Sequence, residues 1–274
     1  MDAPMFNNKY LAHALGGYKG YKYLNNELAL KHSARLGHKY FEIDFTLTED
    51  GYLVPSHGWN KANAERSGLV YSPDFEHMTK DLFLKQKVHG MPTMDTETLY
   101  RYMKKHPSFY WELDLHTLTK EKAIEVTQAL LKDFHNDTEL FDRFLVQANS
   151  PEMFEGIDSV YHFKYYQLFL KKGLPADDLD AAIDYCKSNG ICSVALSAKD
   201  AKKETINLLK NNGLKILIYS LDDQKKADHL IKLGADTICT NSLSPYGDMM
   251  LKIKRNKIVK SLRKIKNSIH KQNR

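Results

Sequence analysis

Cysteine is scarce in this 274-residue chain. Cys186, Cys192 and Cys239 are odd in number and show no CxxC spacing, which argues against a disulfide framework or a thiolate metal site and points to a reducing compartment. No apolar run approaches the ~18 residues of a spanning helix. Met1 to Asn8 lacks the charged-then-apolar pattern of a leader, so the expectation is a cytoplasmic protein. No GxGxxG or GxxxxGK[ST] loop follows the first strand, which removes support for nucleotide binding, and no GxSxG elbow supports a Ser-His-Asp hydrolase. Acid is missing from residues 251–274, which hold ten of the 40 Lys and Arg; without them 30 basic residues face 34 acidic ones, a net charge of −4. The body is mildly acidic and the tail strongly basic.

That tail carries Leu251, Ile258, Leu262, Ile265 and Ile269 at helical intervals among its basic residues. The pattern predicts a basic amphipathic helix with two readings open: contact with an anionic membrane surface, which would give a peripheral location, or a solvated helix packed under the folded body. No nucleic-acid recognition module is present, so no specific nucleic acid is expected. The predicted organisation is one domain over residues 1–250 and the tail over 251–274.

The chain is organised around Phe41 to Trp59. On a strand, side chains two apart share a face, so Glu42 and Asp44 point together while Phe41, Ile43 and Phe45 point the other way. Two acids on one wall repel strongly in a low dielectric, and a hard divalent cation with a preference for carboxylate oxygens resolves the conflict. Glu49-Asp50-Gly51 then turns the chain, and the return run from Tyr52 to Val54 brings His57 near the acid pair. A second acidic strand follows at 109–116, where Glu112, Asp114 and His116 share a face by the same period of two.

Around these two strands the pattern alternates. Strands are expected near residues 12, 42, 112, 145, 167, 193, 217 and 238, with helices between them. Eight such units predict a single (β/α)8 TIM barrel, with its site at the C-terminal strand ends. Residues 58–92 form a long insertion after the second strand, rich in Trp59, Tyr71, Phe75 and Phe83, and are expected to cover substrate. Gln147 and Tyr219, at the ends of strands four and seven, are candidates for the pocket wall. His32, His38 and His77 lack acidic partners at useful spacing and are expected on the surface.

Several motifs together carry a family likeness across residues 10–242. They are His13-Ala14-Leu15-Gly16-Gly17, Asn26-Glu27-Leu28, Phe41-Glu-Ile-Asp44, Leu47-Thr-Glu-Asp-Gly51 with His57, the acidic strand at 112–116, Ile218-Tyr-Ser-Leu-Asp222 and Gly234 to Asn241. In these the chain resembles the glycerophosphodiester phosphodiesterases and the phosphatidylinositol-phospholipase-C-like barrels, most closely a bacterial subgroup with a His-Ala-x-Gly-Gly first motif.

The resemblance implies a metal-dependent phosphodiesterase acting on a glycerol- or polyol-type phosphodiester, a lipid head group or a glycopolymer link. Glu42, Asp44 and one further acid would hold Mg2+ or Ca2+, with Asp114 preferred over Glu112. His13 and His57 would serve as general base and general acid. His116, Gln147, Tyr219 and Trp59 would meet substrate. Three departures from the family pattern stand out: Ala14 replaces an Arg that would neutralise phosphate, Gly58 replaces an Asp after the second histidine, and His116 replaces a Lys if Asp114 is the ligand. They leave two alternatives, a phosphodiester-binding barrel with weakened catalysis and a lyase that releases a cyclic phosphate.

Overall fold

A computed structural model describes residues 3–117, 119–170 and 178–247. The predicted tail therefore lies outside the described residues. In chain order the strands are β1 (Tyr10–Ala12), β2 (Tyr40–Leu47), β3 (Leu53–Pro55), β4 (Lys87–Val88), β5 (Met91–Pro92), β6 (Tyr110–Asp114), β7 (Phe144–Ala148), β8 (Tyr166–Phe169), β9 (Ser193–Ser197), β10 (Lys215–Tyr219) and β11 (Thr237–Thr240). The helices are α1 (Glu27–Arg35), α2 (Lys61–Arg66), α3 (Lys80–Lys85), α4 (Thr96–Lys105), α5 (Lys120–Asp133), α6 (Thr138–Phe141), α7 (Pro151–Val160), α8 (Leu179–Ser188), α9 (Lys203–Asn211) and α10 (Gln224–Leu233). Among them, no helix is long and apolar enough to cross a membrane.

All eight expected strands form, and they pair in parallel in the order β1-β11-β10-β9-β8-β7-β6-β2, with β1 also pairing with β2. The sheet is thus a closed barrel, the (β/α)8 architecture predicted from the alternation. Closure follows from strands buried on both faces. Phe41, Ile43, Phe45, Trp111 and Leu113 pack outward against the helices in the main hydrophobic cluster. Leu11, Tyr40, Leu145, Leu217 and Cys239 fill the interior, where a turn of 3-10 helix at Pro4–Asn7 adds Met5 and Phe6. Phe6 meets Tyr40, the first residue of β2, so the plug sits at the N-terminal strand ends and the opposite end is left for chemistry.

Side-chain caps place the helices. Asn26, Asp95, Thr119, Ser150, Asp178 and Asp223 each accept a backbone N–H in the first turn of the helix that follows. α4, for example, starts at Thr96 because Asp95 caps it. The insertion after β2 is more ordered than a loop. It contains α2, a 3-10 turn at Pro73–His77, α3 and the β4–β5 hairpin. Ala64, Phe75, Met78 and Phe83 pack there with Val54 in a cluster separate from the barrel core.

His38 departs from its expected surface position. It is 4 % exposed, its Nε2 is 3.0 Å from the carbonyl of Leu243, and burial pushes its pKa down to about 4, with a smaller contribution from His32. Tertiary packing after α1 places it there, which its sequence neighbours do not reveal. Between pH 6.5 and about 4 the unfolded chain takes up a proton that the folded chain refuses, so this residue removes stability as pH falls through that window. The loss amounts to about 3 kcal/mol. Chemical denaturation at pH 7 and pH 4.5 should show a smaller acid loss for His38→Gln than for the parent; equal losses would discard the assignment.

Candidate active site

The two acidic strands lie side by side. In the β2–β6 register Glu42 is level with Glu112 and Asp44 with Asp114. Because alternate residues face inward, four carboxyl groups stand in two rungs at the C-terminal half of the barrel interior. Glu42, Asp44 and Glu112 are buried, at 6 %, 2 % and 2 % exposure. Burial, then the charges of Asp44 and Glu112, pushes the Glu42 carboxyl well above the usual range. Burial and Asp114 push Glu112 to about 8. Desolvation also works against Asp44, but a hydrogen bond from His116 and the charges of His116, His57 and His13 overcome it and hold that carboxyl below its usual value.

Each acid has a designated neighbour. Asn25 donates from Nδ2 to Asp44 Oδ2 at 2.7 Å and accepts the Asp44 backbone N–H at 3.2 Å. Gln147 donates to Asp114 Oδ2 at 2.9 Å, and Gln167 donates to Glu112 Oε1. The Ala14 N–H donates to Glu42 Oε2. Among the described residues, Glu112 Oε2 is buried with no hydrogen-bond partner. The backbone around these contacts is strained, since Ala14, Asn25 and His116 all adopt positive φ, at 47°, 42° and 40°.

His13 and His57 approach this acid face from two loops. His13 follows β1 in a 3-10 turn, and its Nδ1–H donates to Asn241 Oδ1 at 2.9 Å. The orientation of that amide is set in turn, because Asn241 Nδ2 donates to Asp222 Oδ2 at 3.1 Å. Burial works against the Asp222 charge, but the Lys22 ammonium and hydrogen bonds from Asn241 and Thr240 outweigh it and keep the carboxylate ionised. The relay leaves His13 Nε2 directed inward, 4.0 Å from Glu42 Oε2.

The second imidazole arrives as its spacing predicts. Thr48 N–H bonds to the Tyr52 carbonyl at 2.8 Å across the Gly51 turn, β3 returns along β2, and the Ser56 N–H donates to the Asp44 carbonyl. His57 Nε2 then lies 3.9 Å from Asp44 Oδ1. Burial lowers its pKa, and the nearby charges of His116 and Arg66 act in the same direction. Its ring lies 4.0 Å from that of His116. The Asp114 and Asp44 carboxylates overcome burial at His116 and raise it to about 9, so His116 is an imidazolium held against Asp44 Oδ1 at 2.5 Å. Tyr23 stands between the two loop histidines, with ring centroids 4.9 Å from His13 and 6.3 Å from His57.

The site opens into a cavity of about 800 Å3 lined by Trp59, Asn63, Arg66, Asp114, His116 and Asn149, among others. Four predicted residues stand differently with respect to it. His116 and Trp59 line the cavity, although the Trp59 indole spends its N–H on the Leu47 carbonyl at 2.9 Å. Gln147 is buried and commits its amide to Asp114, and Tyr219 stacks behind Phe169 at 4.5 Å. Asn25, Tyr23, Asn241 and Arg66 reach the site without having been singled out for it. Asn241 follows a barrel strand, a position that itself points to a site; Arg66 has no such marker.

This donor set suits a hard divalent cation. Four carboxyl groups converge, two with pKa values raised by burial and by neighbouring carboxylates, and one buried carboxylate oxygen lacks a partner among the described residues. Asp44, His57 and His116 also bring their polar atoms within 4.8 Å of one another, His116 becoming a ligand only on losing its proton.

Comparison with known proteins gives a consistent picture. The sequence model of the glycerophosphoryl diester phosphodiesterase family matches residues 17–244. A glycerophosphodiester phosphodiesterase from Parabacteroides distasonis superposes with a TM-score of 0.70 at 17 % identity, covering 91 % of this chain and 98 % of that one. An Oleispira antarctica phosphodiesterase in complex with the product sn-glycerol-3-phosphate gives 0.70 at 14 % identity, with 91 % and 99 % covered. A glycerophosphodiester phosphodiesterase from Thermotoga maritima gives 0.66 at 12 %, with 90 % and 98 % covered. At these identities the likeness to the solved structures is one of fold. None of the curated proteins matches the chain.

Proposed function

This chain belongs to the glycerophosphoryl diester phosphodiesterase family, and from that premise we propose that it cleaves a phosphodiester with glycerol or another polyol on one ester oxygen. The observation that carries the reading is the convergence of His13 and His57, from loops 44 residues apart, on one stacked set of carboxyl groups. The complex of the Oleispira antarctica phosphodiesterase with sn-glycerol-3-phosphate supports a small phosphodiester as substrate.

The two imidazoles divide the proton transfers. One Nε2 takes the proton of the attacking water or substrate hydroxyl as the new P–O bond forms. The other, entering the step with a proton on its Nε2, gives that proton to the leaving oxygen as the old bond breaks. Asn241 fixes the His13 tautomer so that Nε2 is the working nitrogen. Tyr23 keeps the two rings apart. Glu42, Asp44 and a third acid would hold a divalent cation, Mg2+ or Ca2+, which when bound supplies positive charge to a phosphodiester oxygen. What favours Glu112 over Asp114 as the third acid is the unpartnered Oε2 of Glu112, set against an Asp114 already bonded by Gln147 and by the His116 N–H. This reverses the preference for Asp114 that accompanied the resemblance.

The test is turnover of a glycerophosphodiester, followed by release of the alcohol and by phosphorus NMR of the product. The reading expects a phosphomonoester, formed directly or through a cyclic phosphate. Turnover should disappear after thorough chelation and return with added Mg2+ or Ca2+. Absence of turnover with either ion would remove the catalytic reading, and full turnover after chelation would remove the cation from it.

A further inference from the structure

We propose that Arg66, brought to the site by the insertion, binds the non-bridging phosphate oxygens of the substrate; the inference rests on the phosphodiesterase reading above. The site has an electrostatic problem on its own terms. A phosphodiester is an anion, and the barrel end that must receive it presents stacked carboxyl groups. A fixed cation at the entrance is needed to draw the anion in and hold it. His116 carries a positive charge, but that charge is committed to Asp44 and Asp114.

Among the described residues lining the cavity, Arg66 alone carries a permanent positive charge, and it makes no ion pair with a carboxylate among the described residues. Its guanidinium lies over the Tyr23 ring, with Cζ 4.7 Å from the centroid, and Nη1 is 3.1 Å from His57 Nε2. The group is therefore held beside His57 by an aromatic face and an imidazole lone pair, both of which it can release. Its backbone is pinned more firmly. The Arg66 carbonyl accepts from His89 Nε2 at 2.9 Å, and His89 stacks on Tyr21 at 4.4 Å. Asn63, one turn earlier on α2, donates to the His57 carbonyl at 2.9 Å. The planar fork of a guanidinium fits two phosphate oxygens at once, which a single ammonium does not.

The same contact gives Arg66 a second effect. While it donates to His57 Nε2, that nitrogen is unavailable for proton transfer. Phosphate oxygens compete for the guanidinium, and their arrival frees Nε2 when substrate is in place.

The experiment is equilibrium titration of the full chain with inorganic phosphate by calorimetry, alongside steady-state kinetics on a glycerophosphodiester. Arg66→Ala is expected to weaken phosphate binding by about tenfold or more and to raise KM by a similar factor. Arg66→Lys should fall between the two, and added guanidinium should restore phosphate binding to Arg66→Ala. Because the side chain is exposed, both variants should keep the parent melting temperature. Phosphate affinity within about twofold of the parent in Arg66→Ala overturns the inference, as does a parent that turns over substrate but binds no phosphate. A parent with Arg66-dependent phosphate binding and no turnover would instead sink the catalytic reading and leave the anion contact standing.

Discussion

Replacing His13 by alanine is expected to lower kcat on a glycerophosphodiester by about a thousandfold, with little change in KM. The size follows from what is removed: a proton-transfer group whose working nitrogen already faces the reacting site. Its Nδ1–H is held by Asn241, and Asn241 is held by Asp222. Asn241→Leu keeps the imidazole and removes its acceptor together with the side-chain contact to Asp222, so its loss should be smaller and should also fall on kcat. His162→Ala is the control, since His162 is exposed and pairs with Asp158 on α7. Retention of kcat within about tenfold in His13→Ala would end the assignment of proton transfer to this residue.

Glu112→Gln should separate ion binding from folding. If a divalent cation sits on the acid face, Mg2+ or Ca2+ at about a hundredfold over its dissociation constant stabilises the folded parent by about 2.7 kcal/mol. For a chain of this size that is about 5–10 °C in melting temperature. The variant should lose most of this shift, because the carboxylate oxygen without a partner is gone. It should not lose ion-free stability. The substituted amide keeps an oxygen for Gln167, and the change removes a carboxyl that burial and Asp114 already disfavour. Asp114→Asn should retain more of the shift. An undiminished ion-induced shift in Glu112→Gln, or no shift with either ion in the parent, would exclude Glu112 from the ion site.

The barrel was readable from the chain because its strands and helices each carry a local signal. The alternation of Phe41, Ile43 and Phe45 with Glu42 and Asp44 marks both the strand and its inward face, and Gly51 marks the turn that returns His57. The stagger of neighbouring strands was not readable. That Glu42 stands beside Glu112, and so forms a rung, is a property of pairing between segments 70 residues apart. Arg66 was invisible for a related reason. The sequence shows an alanine where the family resemblance places a guanidinium, and the cation at the entrance comes instead from a helix whose docking depends on Ala64 packing with Val54, Phe75 and Phe83. In sequence the pair Asn25-Asn26 offers a cap to the helix that follows, and only the fold shows that Asn26 has that task while Asn25 reaches Asp44.

The seam where the barrel closes is also where His13 is aimed. Gly17 donates its N–H to the Asn241 carbonyl at 2.9 Å, and a methyl group at position 17 would come within 2.6 Å of that oxygen. The first and last strands are therefore sealed by the residue whose side chain steers the imidazole. A nascent chain cannot acquire a correctly aimed His13 until its final strand has been made and seated, so premature termination or loosening at this seam yields a polypeptide that is disarmed rather than merely weakened.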